Sequence, residues 1–251
     1  MPDIRIFLNG CNGRMGKVIT DICSQEQGVS IVAGADANVA PSSFPVYPTA
    51  VDCKEDFDVI IDFSHVLALP SVIQLAQDKK KPLIMCTTGL SDDNKKALSS
   101  LSEKTAVFYS ANMSLGINVL INLAQKAADI LYPGFDVEII EAHHNQKIDA
   151  PSGTALMIAD AVNETLDHQL EYVYDRHNVR QKRDPKELGL HSIRGGSIVG
   201  DHSIIFAGPE EVLTISHTAQ TRNVFARGAV AAARFMCGKT AGMYSMKDLI
   251  N

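Results

Sequence analysis

Apolar and polar positions alternate in two different periods along the first part of the chain. Short, nearly continuous apolar runs are typical of buried strands, and apolar residues that recur every three to four positions are typical of amphipathic helices. Strands of this kind separated by helices predict a parallel sheet covered on both faces. The predicted strands comprise residues 4–8, 29–35, 59–61, 83–85 and 106–109.

The pattern changes after Asn112. Residues 117–131 and 153–166 have helical periodicity, and the segment 137–142 between them is typical of a strand. Residues 167–189 are polar and irregular, and an alanine-rich helix is predicted at 223–237. Before that helix, short loops predict antiparallel strands at 197–199, 202–207 and 212–218.

This change of pattern predicts an α/β protein of two domains. We expect residues 1–112 and 223–251 to form a dinucleotide-binding domain with the parallel sheet. Residues 113–222 are expected to form an α+β domain that binds the substrate. The last predicted helix would then return to the first domain.

Composition narrows the class of partner. The 251 residues carry a formal net charge of −6, which argues against nucleic acid or an anionic membrane as the main partner. No apolar run approaches the ~20 residues of a membrane span, and no leader pattern opens the chain. The five cysteines are scattered without a CxxC pair, which is typical of reduced thiols in a cytoplasmic protein without structural zinc.

A glycine-rich turn separates the first predicted strand from the first predicted helix. Glycines there allow a pyrophosphate to approach the backbone at the start of the helix, although the GxxGxxG spacing alone also fits an ordinary turn. Asp36 ends the second strand, where a carboxylate can accept hydrogen bonds from ribose hydroxyls. Together they predict dinucleotide binding. The turn comprises Gly10, Cys11, Asn12, Gly13, Arg14, Met15 and Gly16.

The residues after Asp36 bear on the choice of cofactor. Ala37 and Asn38 follow it, so no arginine stands there to bind a 2′-phosphate, and Asp36 would repel that group. We therefore expect NADH, or use of both NADH and NADPH. Arg14 in the turn is the residue that can still favour a phosphate.

Small and amide residues follow the fourth and fifth predicted strands. Ligands of parallel α/β sheets bind outside the carboxyl ends of the strands, so these residues are candidates for the nicotinamide end of the site. Ordinary capping of the next turn is an alternative for the two threonines, and Cys86 is interpreted as a buried structural thiol. The candidates are Cys86, Thr87, Thr88, Ser110, Ala111, Asn112 and Met113.

The segment 141–155 combines histidine, lysine and a helix start. Successive strand residues point to opposite faces, so His143 and His144 are expected to have different roles, one as proton donor and the other at a substrate carboxylate. Lys147 adds positive charge or a second proton donor. The N–H groups of Gly153 and Thr154 open the next helix and can bind an anion.

Two plainer interpretations and a metal site compete with this one. A histidine pair is often a solvated strand end, and Ser-Gly-Thr is often only a helix cap. Glu141, His143 and Asp149 are potential metal ligands, but their spacing matches no common zinc pattern, so we expect no metal.

Taken together, these strings resemble the 4-hydroxy-tetrahydrodipicolinate reductase (dihydrodipicolinate reductase) family of bacterial and plant lysine biosynthesis. The resemblance extends over nearly the whole chain, and the string at 141–155 is its most specific part. The strings are GCNGRMG at 10–16, CTTG at 86–89, SANMSLGIN at 110–118, EAHHNQKIDAPSGTA at 141–155, RGGSIVGDH at 194–202 and RNVFARGAV at 222–230.

The resemblance implies a homotetrameric NAD(P)H-dependent reductase with an N-terminal Rossmann-type domain and a C-terminal domain with a mixed sheet. It implies that hydride passes to the ring of dihydrodipicolinate, with His143 as proton donor and Lys147 assisting. It further implies that the substrate carboxylates contact His144, Gly153 and Thr154, and that Arg222 and Phe225 lie on the cofactor side.

Two departures from the family pattern concern the cofactor. Cys86 stands where many members have glycine, and Asp36 is followed by Ala37 instead of arginine, which puts a preference for NADPH in doubt. Two other hypotheses remain open. One is a different dehydrogenase of an amino-acid precursor, such as aspartate or homoserine dehydrogenase, and the other is a non-catalytic module that senses dinucleotides.

Overall fold

The computed structural model describes residues 3–250, so residues 1, 2 and 251 of the predicted domains lie outside the described part. The chain divides into two compact units. One unit extends to Leu115 and resumes at Arg222, and the other is Gly116–Thr221. The assignment of one unit to cofactor and the other to substrate stays a prediction at this point.

The first unit contains a sheet of seven parallel strands with helices on both faces. Its strands are β1 (Ile4–Asn9), β2 (Val29–Ala35), β3 (Val46–Tyr47), β4 (Val59–Asp62), β5 (Leu83–Met85), β6 (Ala106–Tyr109) and β12 (Gly242–Tyr244). Its helices are α1 (Arg14–Gln25), α2 (Leu69–Lys79), α3 (Asp92–Ser102), α6 (Asn223–Met236) and α7 (Met246–Ile250). The strand order is β12-β6-β5-β4-β1-β2-β3.

The continuous apolar strands supply two separate cores, one on each face of this sheet. On β1, Ile6 and Leu8 enter a core shared with α1 and α6, whereas Phe7 enters the core shared with α2 and α3. All three side chains are completely buried, and each such burial stabilises the fold by roughly 1.5–3 kcal/mol. Strands buried on both faces explain why the parallel sheet is so clear in the sequence.

The second unit contains a mixed sheet of five strands, packed by two helices. Its strands are β7 (Asp136–His143), β8 (Glu171–Val173), β9 (Glu187–Arg194), β10 (Gly200–Ala207) and β11 (Val212–Ala219), and its helices are α4 (Leu115–Leu131, which begins in the first unit's last residue) and α5 (Gly153–Thr165). The order is β11-β10-β7-β9-β8, with β10 antiparallel to β7 and β11, and β9 parallel to β7 and β8. The predicted class, a parallel α/β sheet plus a mixed sheet, is therefore confirmed.

One face of the central strand β7 changes character along its length. Alternate residues of β7 are buried, beginning with Val137 and Ile139, which pack in the core with α4 and α5. The same face continues with Glu141 and His143, which are buried as well. Because alternate residues of a strand share one face, the same face of β7 packs in the apolar core at its start and lines a polar site at its end.

Two sequence predictions in the second unit are wrong. Residues 197–199 lie between strands, and the predicted irregular segment 167–189 contains β8 and the beginning of β9. Only Leu188, Gly189 and Leu190 of β9 are buried. Because the rest of the strand is more exposed, the sequence lacks a clear alternation of apolar and polar residues there. The antiparallel pairing holds for β10 with β11, but β9 runs parallel to β7.

Candidate active site

The glycine-rich turn requires its glycines for steric reasons. Gly10 has a φ of +80°, and a Cβ there would lie 2.6 Å from the carbonyl oxygen of Phe63. A Cβ on Gly16 would lie 2.2 Å from the carbonyl oxygen of Gly10. Helix α1 therefore packs directly on the turn, and Gly13 caps its first residue. Such a turn leaves backbone N–H groups at the helix start for an anionic group.

The carboxylate of Asp36 joins this turn to the loop after β2. Its Oδ2 accepts a hydrogen bond from the backbone N–H of Asn12 at 3.0 Å, and its Oδ1 accepts one from the N–H of Asn38 at 2.9 Å. The Asn12 side chain donates to the carbonyl oxygen of Asn38 at 2.6 Å. Each carboxylate oxygen has a second lone pair, so Asp36 is held in place and can still accept from a ribose hydroxyl.

A cavity of about 570 Å³ lies beside the turn and is lined by Gly10, Gly13, Asp36 and Ala37. Its volume is within the range of roughly 300–1,000 Å³ that is usual for small-molecule sites. Phe63 also lines the pocket, and none of the lining residues is a lysine or an arginine. Shape and lining therefore fit the adenosine half of a dinucleotide.

The remaining side chains of the turn are divided between core and solvent. Cys11 is buried, and burial raises the pKa of its thiol to about 11. Met15 packs against the first-unit core, whereas Arg14 is exposed at the first position of α1. Of these three side chains, only that of Arg14 is exposed.

A buried carboxyl group ties together the carboxyl ends of β1, β4 and β5. Asp62 is 1% exposed, and its Oδ1 accepts hydrogen bonds from the Asn9 amide and the Ser64 hydroxyl, each at 2.6 Å. Its Oδ2 accepts from the Thr87 hydroxyl at 2.6 Å. Burial raises the pKa of Asp62, and these hydrogen bonds oppose the shift without reversing it. Thr87 is thus a structural donor, and Thr88 is the exposed one of the pair.

The other predicted residues at the strand ends fall into two groups. Cys86 and Met113 face the hydrophobic core, so only their backbone can meet a ligand; burial raises the pKa of the Cys86 thiol. Ser110 donates to the carbonyl oxygen of Asn112 at 2.7 Å, which shapes the segment around exposed Ala111. At the start of α6, Arg222 is exposed, and the aromatic ring of Phe225 packs against the core.

In the second unit, the segment after β7 places His143 in a charged, buried setting. Its Nδ1 lies 2.5 Å from Oε2 of Glu141, two residues back on the same face. The Glu141 carboxylate also accepts two hydrogen bonds from Arg194, at 2.7 and 2.8 Å. Burial alone would raise the pKa of Glu141, but hydrogen bonds from Arg194, Ser192 and His143 lower it to about 2.

A second buried histidine stands beside this group. The rings of His143 and His202 meet edge to face with centroids 5.1 Å apart. Burial lowers the pKa of His202 to about 4, so this ring is neutral at neutral pH. Its Nε2 lies 3.1 Å from the Ser152 hydroxyl, which also accepts from the N–H of Ala155 as the N-cap of α5.

The start of α5 lies next to this cluster. The backbone N–H of Ser152 donates to Oε1 of Glu141 at 3.2 Å, and Gly153 and Thr154 supply the first N–H groups of the helix. Lys147 forms an ion pair with Asp149 at 2.9 Å. Proton-bearing side chains, a lysine and a helix N-terminus therefore meet in one unit, which suits binding of an anionic substrate.

His144 follows the last residue of β7, and its side chain is half-buried. His143, in contrast, continues the buried face of the strand. Within residues 3–250, no group of three histidine, cysteine, aspartate or glutamate side chains has the geometry to hold a metal ion. Glu141, one of the three potential metal ligands, forms an ion pair with Arg194.

Sequence reasoning gave no role in the site to Arg194, Ser152 or His202, and it considered Glu141 only as a potential metal ligand. The period of β7 was a usable signal for Glu141, because residues two apart share a face. Arg194 and His202 come from other strands, and only the register of β9 and β10 against β7 brings them there.

A parallel sheet with a glycine-rich turn, joined in one chain to a unit with an acid–base cluster, is typical of oxidoreductases that use a nicotinamide cofactor. Family models give the particular family. The model described as the dihydrodipicolinate reductase N-terminus matches residues 4–113, and that of the C-terminus matches residues 116–250. The chain belongs to the dihydrodipicolinate reductase family.

Individual proteins agree with the family models. A 4-hydroxy-tetrahydrodipicolinate reductase of Caldanaerobacter subterraneus subsp. tengcongensis is 51% identical over 247 residues, which is 98% of each chain. One of Clostridium botulinum is 46% identical over 98% of each chain. The structure of a dipicolinate-bound dihydrodipicolinate reductase from Paenisporosarcina sp. TG-14 has a TM-score of 0.82 at 23% identity, and covers 99% of this chain and 100% of that one.

Among residues 3–250, none of the helices combines the length and apolar character needed to cross a lipid bilayer.

Proposed function

We propose that this chain catalyses the NAD(P)H-dependent reduction of dihydrodipicolinate, formed from 4-hydroxy-tetrahydrodipicolinate by loss of water, to tetrahydrodipicolinate. This is a step of diaminopimelate and lysine biosynthesis. Membership of the family and the names of the relatives support the reaction. The observation that carries the proposal is the buried His143 beside the first turn of α5 in the second unit.

In this proposal, the second unit binds the substrate and supplies the proton. His143 is the catalytic acid, because an imidazole is suited to give up a proton near neutral pH. Lys147 assists it, and its positive charge complements the dianionic substrate. The N–H groups of Gly153 and Thr154, with His144, bind the carboxylates, because a helix N-terminus attracts negative charge.

The first unit binds the cofactor. A bound nicotinamide supplies the hydride. The turn at 10–16 holds the pyrophosphate, and Asp36 accepts hydrogen bonds from the adenosine ribose. The strand ends at 86–88 and 110–113, with Arg222 and Phe225, surround the nicotinamide end. Cys86 and Met113 contribute there through their backbone, since both side chains lie in the core.

The direct test is an assay with the condensation product of pyruvate and aspartate semialdehyde. We expect the purified protein to oxidise NADH or NADPH when this product is supplied, and not with pyruvate alone. A non-catalytic dinucleotide sensor would give no turnover, and a homoserine or aspartate dehydrogenase would turn over its own substrate instead. Absence of oxidation with both cofactors would overturn the proposal.

We further propose that the enzyme uses NADH, or both cofactors, without a strong preference for NADPH. The pocket beside Asp36 has no lysine or arginine in its lining, and a 2′-phosphate would meet the carboxylate. The measurement is kcat/KM for NADH and NADPH under identical conditions. A large preference for NADPH would refute this interpretation of Asp36 and Ala37.

We propose a homotetramer that associates through the outer face of the mixed sheet. Ile140, Ile193 and Ile205 share that face, and Ile193 is 52% exposed. Light scattering should give about four times the chain mass of 27.2 kDa. Ile193→Glu should lower the measured mass, because it would bury a charge in the interface, and Ile130→Glu on α4 should not. An unchanged mass for the first variant would contradict the assignment of this face.

We also propose that the enzyme acts in the cytoplasm. All five cysteines are free thiols in the structure, and four of them are buried, as expected of a protein from a reducing compartment. Fractionation of the source cells should place the activity in the cytosolic fraction.

A further inference from the structure

The buried carboxylate of Glu141 determines which nitrogen of His143 carries the exchangeable proton. Nδ1 of the imidazole faces Oε2 of Glu141 at 2.5 Å. An ionised carboxylate can only accept a hydrogen bond, so Nδ1 must be the protonated donor of this contact. The other nitrogen, Nε2, is therefore the atom that gives and regains a proton during a reaction.

Arg194 keeps this carboxylate ionised and immobile. It binds both oxygens of Glu141 in a bidentate pair, and a further donor is the backbone N–H of Ser152. Planar bidentate pairs of this kind fix orientation as well as charge. Arg194 also donates to the carbonyl oxygen of Asp149 at 2.7 Å, which links the carboxylate to the loop that carries Lys147.

Gly200 lies in front of Nε2. In the register of the sheet, β10 approaches β7 here, and a Cβ on Gly200 would be 3.1 Å from Nε2 of His143 and 3.5 Å from its Cδ2. A contact of 3.1 Å is tighter than ordinary van der Waals packing, so any side chain would press on the ring edge that carries Nε2. Glycine avoids this contact, so the ring keeps its position. The neighbouring His202 is neutral and adds no charge beside the ring.

We propose, on the basis of the proposed role of His143 as proton donor, that Glu141 clamped by Arg194 is the positioning residue that directs Nε2 of His143 towards the substrate, and that Gly200 keeps the space at Nε2 open. In the proton transfer, the Nε2–H bond breaks and a C–H bond forms on the reduced ring. The electron pair stays on Nε2, and the imidazolium becomes a neutral imidazole. Glu141 takes up no proton, and solvent later reprotonates Nε2.

A double-mutant cycle tests the clamp. Glu141→Gln, His143→Gln and the double variant are compared in kcat for the condensation-product assay and in the Kd for NADH. We expect Glu141→Gln to lower kcat by about 10–100-fold, by analogy with the carboxylates that orient metal-binding histidines. The same change should lower kcat by less than about twofold when His143 is already Gln, because coupled residues are not additive. The Kd for NADH should stay within about twofold throughout.

Glu138→Gln is the matched control for this cycle. Glu138 lies on the same strand and also binds an arginine and a histidine, Arg183 at 2.9 Å and His191 at 2.8 Å, but on the opposite face. It touches no group of the site but lies on the proposed tetramer face, so its replacement should leave kcat within about twofold in a protein whose mass by light scattering is unchanged. Glu141→Asp should recover part of the activity lost in Glu141→Gln, because it restores the negative charge.

The outcomes separate the two proposals. If His143→Gln retains full kcat, the assignment of His143 as proton donor is wrong, and the clamp is overturned with it. If His143→Gln is impaired but Glu141→Gln is not, only the clamp is overturned. Equal losses from Glu141→Gln in both backgrounds would also overturn the clamp, because they would assign Glu141 to the fold.

Substitution of Gly200 tests its proposed role at Nε2 of His143 and leaves the ion pair between Glu141 and Arg194 in place. Gly200→Ala should lower kcat at least about tenfold, because the added methyl group displaces the ring from its productive position. Gly195→Ala is the control, since a Cβ there would meet nothing within 4 Å. Equal activity of the two alanine variants would contradict the role of Gly200.

Discussion

Two buried carboxyl groups in the two units respond to burial in opposite ways. Glu141 and Asp62 are each 1% exposed. Burial raises the pKa of Asp62, whereas the pKa of Glu141 is lowered to about 2 in spite of its burial. The difference lies in their partners: Glu141 has the guanidinium of Arg194, and Asp62 has the neutral donors Asn9, Ser64 and Thr87.

The charge of a buried carboxyl group therefore follows from its partners more than from its depth. The network of Asp62 can also accommodate the protonated form. The Thr87 hydroxyl has a second acceptor in the carbonyl oxygen of Ser64 at 3.1 Å, and the Ser64 hydroxyl has one in the carbonyl oxygen of His65 at 3.3 Å. Either hydroxyl can therefore turn away and accept from Asp62 instead.

Removal of the cation should have the largest effect on stability. Arg194→Gln leaves the Glu141 carboxylate buried without its positive partner, so we expect a loss of about 3–5 kcal/mol in the free energy of unfolding at neutral pH. Urea denaturation measures this change. Lys96→Gln is a suitable control, because the ion pair of Lys96 with Asp93 is exposed and contributes less than about 1 kcal/mol. If both variants lose a similarly small amount of free energy of unfolding, the ion pair of Glu141 with Arg194 is worth no more than a surface ion pair, and the prediction is wrong.

The pH dependence of stability should have opposite signs at the two carboxyl groups. The pKa of Glu141 in the folded protein is about 2, below its unfolded value of 4.5. Its contribution to the free energy of unfolding is therefore complete above pH 4.5 and is lost as the pH falls towards 2. At full ionisation this is on the order of 3 kcal/mol. The pKa of Asp62 is raised in the folded protein above its ordinary value of 3.8. Its contribution to the free energy of unfolding is therefore complete below pH 3.8 and is lost as the pH rises through the folded pKa.

The measurement is urea denaturation of wild type, Glu141→Gln and Asp62→Asn between about pH 3 and pH 7. The deficit of Glu141→Gln relative to wild type should grow as the pH rises, because wild type gains the ionised pair. The stability of Asp62→Asn relative to wild type should improve over the same range. Parallel curves for the two variants would show that Glu141 and Asp62 respond to pH in the same way, contrary to this prediction.

The smallest effect is expected from removal of the charge at Asp62. Asn in place of Asp62 can accept from Asn9 and Ser64 and donate to the Thr87 hydroxyl, so stability at neutral pH should change by less than about 1 kcal/mol. Thr87→Val is the sharper control, because it leaves a buried carboxyl oxygen without its donor and should cost about 1–3 kcal/mol. Thermal and urea unfolding of both variants measure these losses. A larger loss of stability in Asp62→Asn than in Thr87→Val would contradict the prediction.

The first unit was more predictable from sequence than the second, for a physical reason. Strands such as β4 and β5 are buried on both faces, so they stand out as short apolar runs between helices. The strand β9 has one buried half and one exposed half, and it pairs with β7 from a distant part of the chain. Its apolar signal was too short to separate from the polar segment before it.

The same contrast holds for the candidate site. His143, Lys147 and the start of α5 are neighbours in sequence, so their cluster was visible before the fold was known. Arg194 reaches Glu141 across 53 positions, and no local pattern specifies which strand will lie beside β7 or in which register. Local chemistry was therefore predictable, and the partners that tune it were not.

The alternation of β7 also constrains how this chain can change in length. One residue inserted or deleted within Asp136–His143 would turn every later side chain of the strand to the other face. A deletion would put His144 in the place of His143 and an insertion would put Ala142 there, and either change would take Glu141 away from Arg194. Two further strands are registered against β7 and would lose their pairing as well. The loop 174–186 has no such parity to keep. We therefore expect insertions to be tolerated in that loop and to be fatal in β7, so that the strand can evolve by substitution alone.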